Sequence, residues 1–531
     1  MLFLDRQTPC CFNPRGQLIG GMMSHMTEEN IVRTGTFAFL LFAWCLLTHF
    51  SGSLQAQTIE PKTPNKNEES STEGEKAFTS PPSGETAQPH IMISPDDAPL
   101  PNSHLSVLAW QGPALDAGPG GTEDAVEYGM ARLLPTVAGA KPGGPKVTFG
   151  GVFQVDAGWF NQSTASQATM GDVQDAAGIR RARLTAFGSV AENVDFRMQF
   201  DFGFPGRPTF TDNFLDFTKI PLLGTVRAGI FKQPMGLEEL TSFRFLTFLE
   251  RAPNFLLQPF RRVGIGFFNA SEDRRATWFV TTYRSGNDQF ANDLSDSGGY
   301  AGMGRFTFLP FINDFEDHFL HIGGSFGYSG ANNGNIQYGL FGGNAPEWGL
   351  FVGTVGTPEF ANSTPSFVNT GRIPAFDALL SNTELSYVLG PLSLQGELTT
   401  SQVNRVNNPT AFFFAYYAQA SFFLTGEHRP YNRNLGYFDR VMPNTTSGSG
   451  KALGGAWEVA VRLSHITLSD AGVNGGDLTD GTFGVNWYAN PYTIMKFNFI
   501  HSFLDNKGNG KGGIYDPSNA NVFAVRAQVD F

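Results

Sequence analysis

From Val147 to the last residue, apolar and polar side chains alternate with a period of two, in segment after segment. Val194–Phe202 shows this most cleanly. Val194, Phe196, Met198, Phe200 and Phe202 would fall on one side of an extended strand, and Asp195, Arg197, Gln199 and Asp201 on the other. A helix cannot use such a pattern, because its faces recur about every 3.6 residues. Each segment therefore reads as a strand with one apolar and one polar face.

Sixteen such segments can be marked: 147–159, 179–190, 194–204, 213–219, 223–232, 262–269, 275–284, 300–309, 317–328, 382–389, 391–403, 410–424, 455–468, 481–488, 493–504 and 521–531. Short turns at 191–193, 220–222, 270–274, Gly390 and 489–492 interleave with long connections at 160–178, 233–261, 285–299, 329–381 and 505–520. A soluble sandwich has no need of that asymmetry. An even strand count with short turns at one end and long loops at the other predicts an antiparallel transmembrane β-barrel of the outer-membrane kind. Sixteen strands leave a water-filled lumen, whereas about eight would be plugged by their own side chains. The segment Val522–Phe531 is expected to close the barrel against 147–159, with Phe531 as the aromatic end read by the barrel-insertion machinery. A soluble β protein or surface adhesin, its long loops serving as binding surfaces, is the reading from another class. One connection breaks the rhythm: 425–454 belongs to the short-turn, periplasmic side, yet it is long.

Composition agrees with a barrel. Only 16% of residues are charged and 13% aromatic, and 62 Gly and 51 Phe stand against 7 Trp and 13 Tyr. No run reaches the roughly 18 apolar residues of a spanning helix. The longest, Phe37–Phe50, follows Arg33 and precedes the small-residue stretch 51–56, as a signal-peptide core does. Residues 1–56 are therefore expected to be a leader cleaved after Ala56, with Met22, Met23 or Met26 as alternative starts; a membrane anchor is the competing reading. Cys10, Cys11 and Cys45 all precede that site, so the exported chain would carry no disulfide, thiol nucleophile or zinc–thiolate site. Residues 57–146 are rich in Pro, Ser, Glu and Gly and read as a disordered periplasmic arm. The net charge of −12 argues against nucleic acid as a partner.

With the apolar face toward lipid, the inner wall receives Arg181, Arg183, Arg197, Arg227, Arg262, Arg305, Arg462, Lys496 and Arg526, together with Asp156, Asp195, Asp201, Asp216, Glu384, Glu397, Glu458 and Asp530. Nine cations against eight carboxylates is near balance and fixes no selectivity. The choice of base is more telling, since 147–531 holds 21 Arg and 6 Lys. Guanidinium forks suit oxyanions, although inward arginines also serve simply to pair with inward carboxylates. The connection Gln233–Arg261 is too apolar to stand in solvent and is expected to fold inward and narrow the lumen; an external lid or a subunit contact is the alternative. It carries Arg244, Arg251 and Arg261 against Glu238, Glu239 and Glu250, and no lysine.

No enzyme motif is present. The stretch GNGKGG at 508–513 lacks the spacing and the Ser or Thr of a phosphate loop, and the nine His show no metal-ligand spacing. The loop 286–299 could hold calcium but reads more simply as a solvated loop. No cofactor is expected.

Gly229–Arg262, GIFKQPMGLEELTSFRFLTFLERAPNFLLQPFRR, resembles the central signature of the phosphate-selective porins O and P. So do FFLTGEHRPYNRNLGYFDRVMPN at 422–444, GAWEVAVRLS at 455–464, and RRARL at 180–184 ahead of VDFRMQFDF. The resemblance implies a trimeric porin in the outer membrane of a Gram-negative-type bacterium. Its lumen would be narrowed by inward-folded loops, including a long periplasmic-side connection such as 425–454. It also implies an arginine-lined path for phosphate or polyphosphate, on which Arg181, Arg183, Arg227, Arg262, Arg429, Arg433, Arg440 and Arg462 occupy matching segments. A general diffusion porin of the same fold, without phosphate selectivity, is the alternative that the near-balanced wall leaves open.

Overall fold

The computed structural model describes residues 144–203, 208–286, 298–339, 366–446, 454–509 and 512–531. The leader 1–56, the arm as far as residue 143 and most of the loop 286–299 lie outside the described residues.

Sixteen long strands form one closed antiparallel sheet. In chain order they are β1 Lys146–Gln162, β2 Ala176–Ala191, β3 Val194–Asp201, β4 Thr209–Ile220, β5 Gly224–Lys232, β6 Arg261–Ala270, β7 Ala276–Arg284 and β8 Tyr300–Ile312. They continue as β9 His318–Gly330, β10 Ile373–Leu389, β11 Leu392–Arg405, β12 Ala411–Phe423, β13 Ala456–Asp470, β14 Val473–Asn490, β15 Thr493–Lys507 and β16 Ser518–Asp530. Each strand pairs with its neighbours in sequence, and β1 pairs with β16 from Val152 opposite Asp530 to Gln162 opposite Ala520. Closure leaves no unpaired strand edge, which is the condition for a sheet to sit in hydrocarbon.

The polarity is that of a soluble protein turned inside out. Phe149, Leu184, Phe306, Phe483 and Phe523 are exposed on the outer face, while Gln154, Arg181, Glu384, Asn486 and Gln528 are buried on the inner one. At the seam, the backbone of Phe531 exchanges hydrogen bonds with Gly151 at 2.8 and 3.1 Å. Both neighbouring glycines are needed there. A Cβ on Gly151 would come within 2.6 Å of the Phe531 ring, and one on Gly150 within 2.9 Å of the Phe531 carbonyl oxygen.

Two strands begin well before the alternation suggests, β10 at Ile373 rather than 382 and β14 at Val473 rather than 481. The extra stretches contain Pro374 and the glycine-rich run Val473–Gly476, which read as loop. Pairing with a long neighbour overrides that local signal. The β13–β14 turn is only Ala471–Gly472, both at positive φ (49° and 83°), a two-residue hairpin whose twist suits the strands it joins.

The irregular connection at the short-turn end, between β12 and β13, folds back into the barrel mouth. Its ribbon of Tyr431–Asn432 paired with Tyr437–Phe438 buries Tyr431 and Phe438 among Leu237, Leu309, Phe319 and Val388. The other intruder is the β5–β6 connection, which carries a short helix α1 at Leu237–Leu240 and a 3-10 turn at Pro253–Leu257. Together they position the candidate site.

Candidate functional site

The β5–β6 connection crosses the lumen from its own strands and lies along the inner wall formed by β11–β16 and β2. Leu237, Leu246, Phe248, Leu249 and Leu257 are all buried there, so its apolar sequence is explained by packing inside the barrel rather than in solvent.

Charge fastens it. Glu250 receives three guanidinium groups: Arg180 at 3.0 Å, Arg181 through two bonds of 3.0 Å, and Arg526 at 2.6 Å. Arg526 also forks onto Asp156 across the β1–β16 seam, with two bonds of 2.7 Å, and donates to the Leu249 carbonyl. Arg462 donates to Glu238 at 2.8 Å and to the Glu250 carbonyl at 2.9 Å, while Lys496 donates to the Leu246 carbonyl. From β11, Glu397 accepts the backbone N–H groups of Leu237 and Glu238, at 3.0 and 2.7 Å. Within the loop, Arg251 satisfies the carbonyls at the end of α1, bonding Glu238, Glu239 and Thr241 at 2.8–3.0 Å. Gln233 bonds the backbone of Phe231 and Arg262 where the loop leaves the wall.

Arg181, Arg251, Arg462, Lys496 and Arg526 are thus buried beneath or within the loop and hold it to the wall. Arg183 donates through Nε to Asp201 at 2.7 Å, its guanidinium against the ring of Phe243. A cavity lies on the other side of the loop, between it and β3–β8. Six basic side chains line it, Arg197, Arg227, Lys232, Arg244, Arg261 and Arg305, against three carboxylates, Asp195, Asp212 and Asp216. The near-balance of the whole wall therefore conceals an uneven distribution: cations outnumber carboxylates in the lining of this cavity, although Glu384, the partner of Arg305, lies just behind it.

Several of these cations have partners. Arg227 forks onto Asp216 with two bonds of 2.7 Å, Arg261 onto Asp212 with two of 2.8 Å, and Arg305 onto Glu384 at 2.7 and 2.9 Å. Arg244 approaches Asp530 at 3.9 Å. Arg262 instead lines a wider vestibule toward the long-loop end with Tyr283 and Tyr338, and donates to the Ser285 carbonyl at 3.3 Å.

The β12–β13 connection completes the narrowing. Arg305 donates to the Gly436 carbonyl at 2.7 Å. Gly436 sits at φ 71°, and a Cβ there would come within 2.8 Å of the Thr277 and Thr307 hydroxyls. Arg429 lies 3.7 Å over the Phe438 ring and bonds Gln395 at 2.8 Å. Arg440 donates to Asp530 and to the Pro491 carbonyl. Arg433 reaches away from the lumen, to Glu316 at 3.0 Å and to the Asp273 and Arg274 carbonyls of the β6–β7 turn.

Strict alternation misses Arg180, which it places toward lipid. A bulge corrects this: Gln154 pairs with Arg181 and Val155 with Ile179, so Arg180 is the extra residue and turns inward. The doublet itself was the signal, since one arginine of a regular strand would otherwise face hydrocarbon, at a cost of about 2–4 kcal/mol at the midplane.

Glu239 is a pH-sensitive element of the loop. Both carboxyl oxygens are buried and have no hydrogen-bond partner among the described residues. Burial pushes this carboxyl up to about 8; Glu397 adds to the shift, while Lys232, Arg251 and Arg262 oppose it. An unfolded glutamate ionises near pH 4.3. The contribution of the neutral form to stability is therefore complete below about pH 4, and is lost as pH rises through 8. Open-channel current noise is expected to grow between pH 7 and 9 as charge forms inside the loop. Glu239→Gln should flatten that dependence, and an unchanged profile in the variant would remove Glu239 as its source.

A family model described as phosphate-selective porin O and P matches residues 147–531. Porin O of Pseudomonas aeruginosa is 25% identical over 390 residues, covering 68% of this chain and 83% of its own length. A protein of Caulobacter vibrioides is 24% identical over 373 residues, covering 66% of this chain and 68% of its own. Among solved structures, an anion-selective porin from Comamonas acidovorans aligns with a TM-score of 0.45 and 14% identity, over 73% of this chain and 100% of that one. With the family match extending over the whole described barrel, this chain belongs to the phosphate-selective porin O and P family of outer-membrane channel proteins.

Proposed function

We propose that the protein is a passive outer-membrane channel for small anions, phosphate foremost, which pass between loop 233–260 and the β3–β8 wall. The observation that carries this reading is the path's six basic side chains against three carboxylates. At about 4 Å a unit charge in water contributes on the order of 1 kcal/mol, so an excess of this size discriminates strongly between ions of opposite sign. Guanidinium groups add bidentate geometry suited to phosphate oxygens. No covalent step is involved. Residues 1–56 act as the export leader, and three copies assemble in the lipid bilayer, as the family resemblance implies.

The test is a planar-bilayer recording under a KCl gradient. The reversal potential should take the sign of chloride preference, and millimolar phosphate at constant ionic strength should reduce the chloride current. A cation-selective reversal potential would overturn the reading. A second reading, general diffusion, is favoured by the partnered state of Arg227 and Arg261. It predicts a reversal potential near zero and ready passage of neutral sugars in liposome swelling.

A further inference from the structure

Part of the path wall is not what an inorganic oxyanion requires. On β4, β6 and β7, Phe214, Phe268 and Phe279 line the cavity. Phe231 stacks behind Phe279 with ring centroids 6.1 Å apart, and Phe268 meets Phe279 edge-on at 5.2 Å. An aromatic face turned toward a water-filled lumen is unfavourable unless something apolar covers it. The narrowing loop does not do so completely. Its Leu240 and Phe243 line the same cavity and its Phe248 and Leu249 are buried elsewhere, while Phe268 and Phe279 remain only partly covered. Cations sit directly on this face: the Arg227 guanidinium lies 3.7 Å from the Phe214 centroid and 4.9 Å from that of Phe268, and Arg197 lies 6.0 Å from Phe214. The result is an amphipathic slot, with the Arg227 guanidinium over Phe214 and Phe268, the Phe279 ring beside them, and Arg197 and Arg244 at the rim, an arrangement that holds a small ligand by its flat body and orients it by its charge.

We infer that this face is a binding subsite for an aromatic carboxylate, its ring against Phe268 and Phe279 and its carboxylate toward Arg197 and Arg244. The inference rests on the anion-channel reading above and names a solute class beyond inorganic phosphate. A ring of benzoate size offers offset or edge contact to Phe279, as aromatic pairs prefer.

The test compares benzoate with acetate as blockers of chloride current through the full-length channel in planar bilayers, at fixed pH and ionic strength. Both carry one carboxylate, so their difference reports the ring. Benzoate is expected to block at about tenfold lower concentration, the order that a favourable ring pair adds. Phe279→Leu, which keeps most of the apolar volume, should narrow the gap to about twofold. Phe268→Leu is the second variant should the first fail to give a heat-modifiable barrel on unboiled gels. Equal block by the two carboxylates in an anion-selective channel would overturn the inference alone, as would a tenfold gap that survives in both leucine variants. The KCl reversal potential, read on the same membranes before any carboxylate is added, tests the underlying anion reading separately; a cation-selective value would remove both.

Discussion

Replacing Glu250 by glutamine should release the narrowing loop and raise the unitary conductance severalfold, with flickering between levels. Glu250 is buried, and it is the point on the loop where Arg180, Arg181 and Arg526 converge. Without its charge, those three guanidinium groups face one another with only Asp156 close by to compensate. Removing one partner from a buried ionic cluster costs about 3–5 kcal/mol, because the remaining charges stay desolvated. The barrel itself does not depend on Glu250, since its strands are closed by backbone pairing through the β1–β16 seam. The loss therefore falls on the loop's attachment, where bonds from Arg462, Lys496, Glu397, Asn486 and Gln528 are among those that remain. A matched control is Glu316→Gln, in the β8–β9 turn, which breaks a partly exposed pair with Arg433. Exposed pairs are worth about 0–1 kcal/mol, and this variant should conduct like the parent. Single-channel recordings of the two variants decide the matter. A Glu250→Gln conductance within the spread of the parent would show that the loop's other contacts hold it without the Glu250 cluster.

The barrel was legible in the sequence because lipid imposes a rule on every second residue. Arg526 and Asp156 illustrate how far that rule reaches: alternation alone puts both inside, and closure of β16 on β1 then makes them register partners. The loop's inward fold was also legible, since a stretch as apolar as Phe243–Leu257 must be buried and the lumen is the nearest place, an external lid or subunit contact being the alternative that the sequence left open. What alternation could not assign was the work of each arginine. Arg181 and Arg227 look equivalent on the wall, each inward and each in a family segment. One is sealed under the loop by Glu250, and the other lines the path over Phe214. That difference depends on where a 28-residue connection lies in three dimensions, between residues 232 and 261. Arg180 was hidden for a more local reason, because a bulge shifts the inward face by one residue, and Asp212 because it precedes the start marked for its segment at 213, whereas β4 begins at Thr209.

The uneven distribution of charge makes selectivity invertible with few changes. Arg197 and Arg244 line the path from opposite sides, one on β3 and one on the loop, and neither is part of the Glu250 cluster. Replacing both by glutamate turns a lining of six cations and three carboxylates into one of four and five, without touching the Glu250 cluster. Each reversal shifts the local charge by two units, and a unit charge at about 4 Å in water is worth on the order of 1 kcal/mol. The double variant should therefore reverse the sign of the reversal potential in a KCl gradient, from chloride-selective to potassium-selective. Arg197→Gln with Arg244→Gln should bring it close to zero. The effect should be largest in dilute salt and should shrink toward 1 M KCl, where the screening length falls to about 3 Å. Arg433→Glu, at a residue that reaches away from the lumen to the β6–β7 turn, should leave the reversal potential where it was. If the double glutamate variant kept its chloride preference at low salt, the selective charge would have to lie elsewhere than on the β3–β8 side of the loop. The next place to look would then be Arg262, which lines a second cavity with Tyr283 and Tyr338.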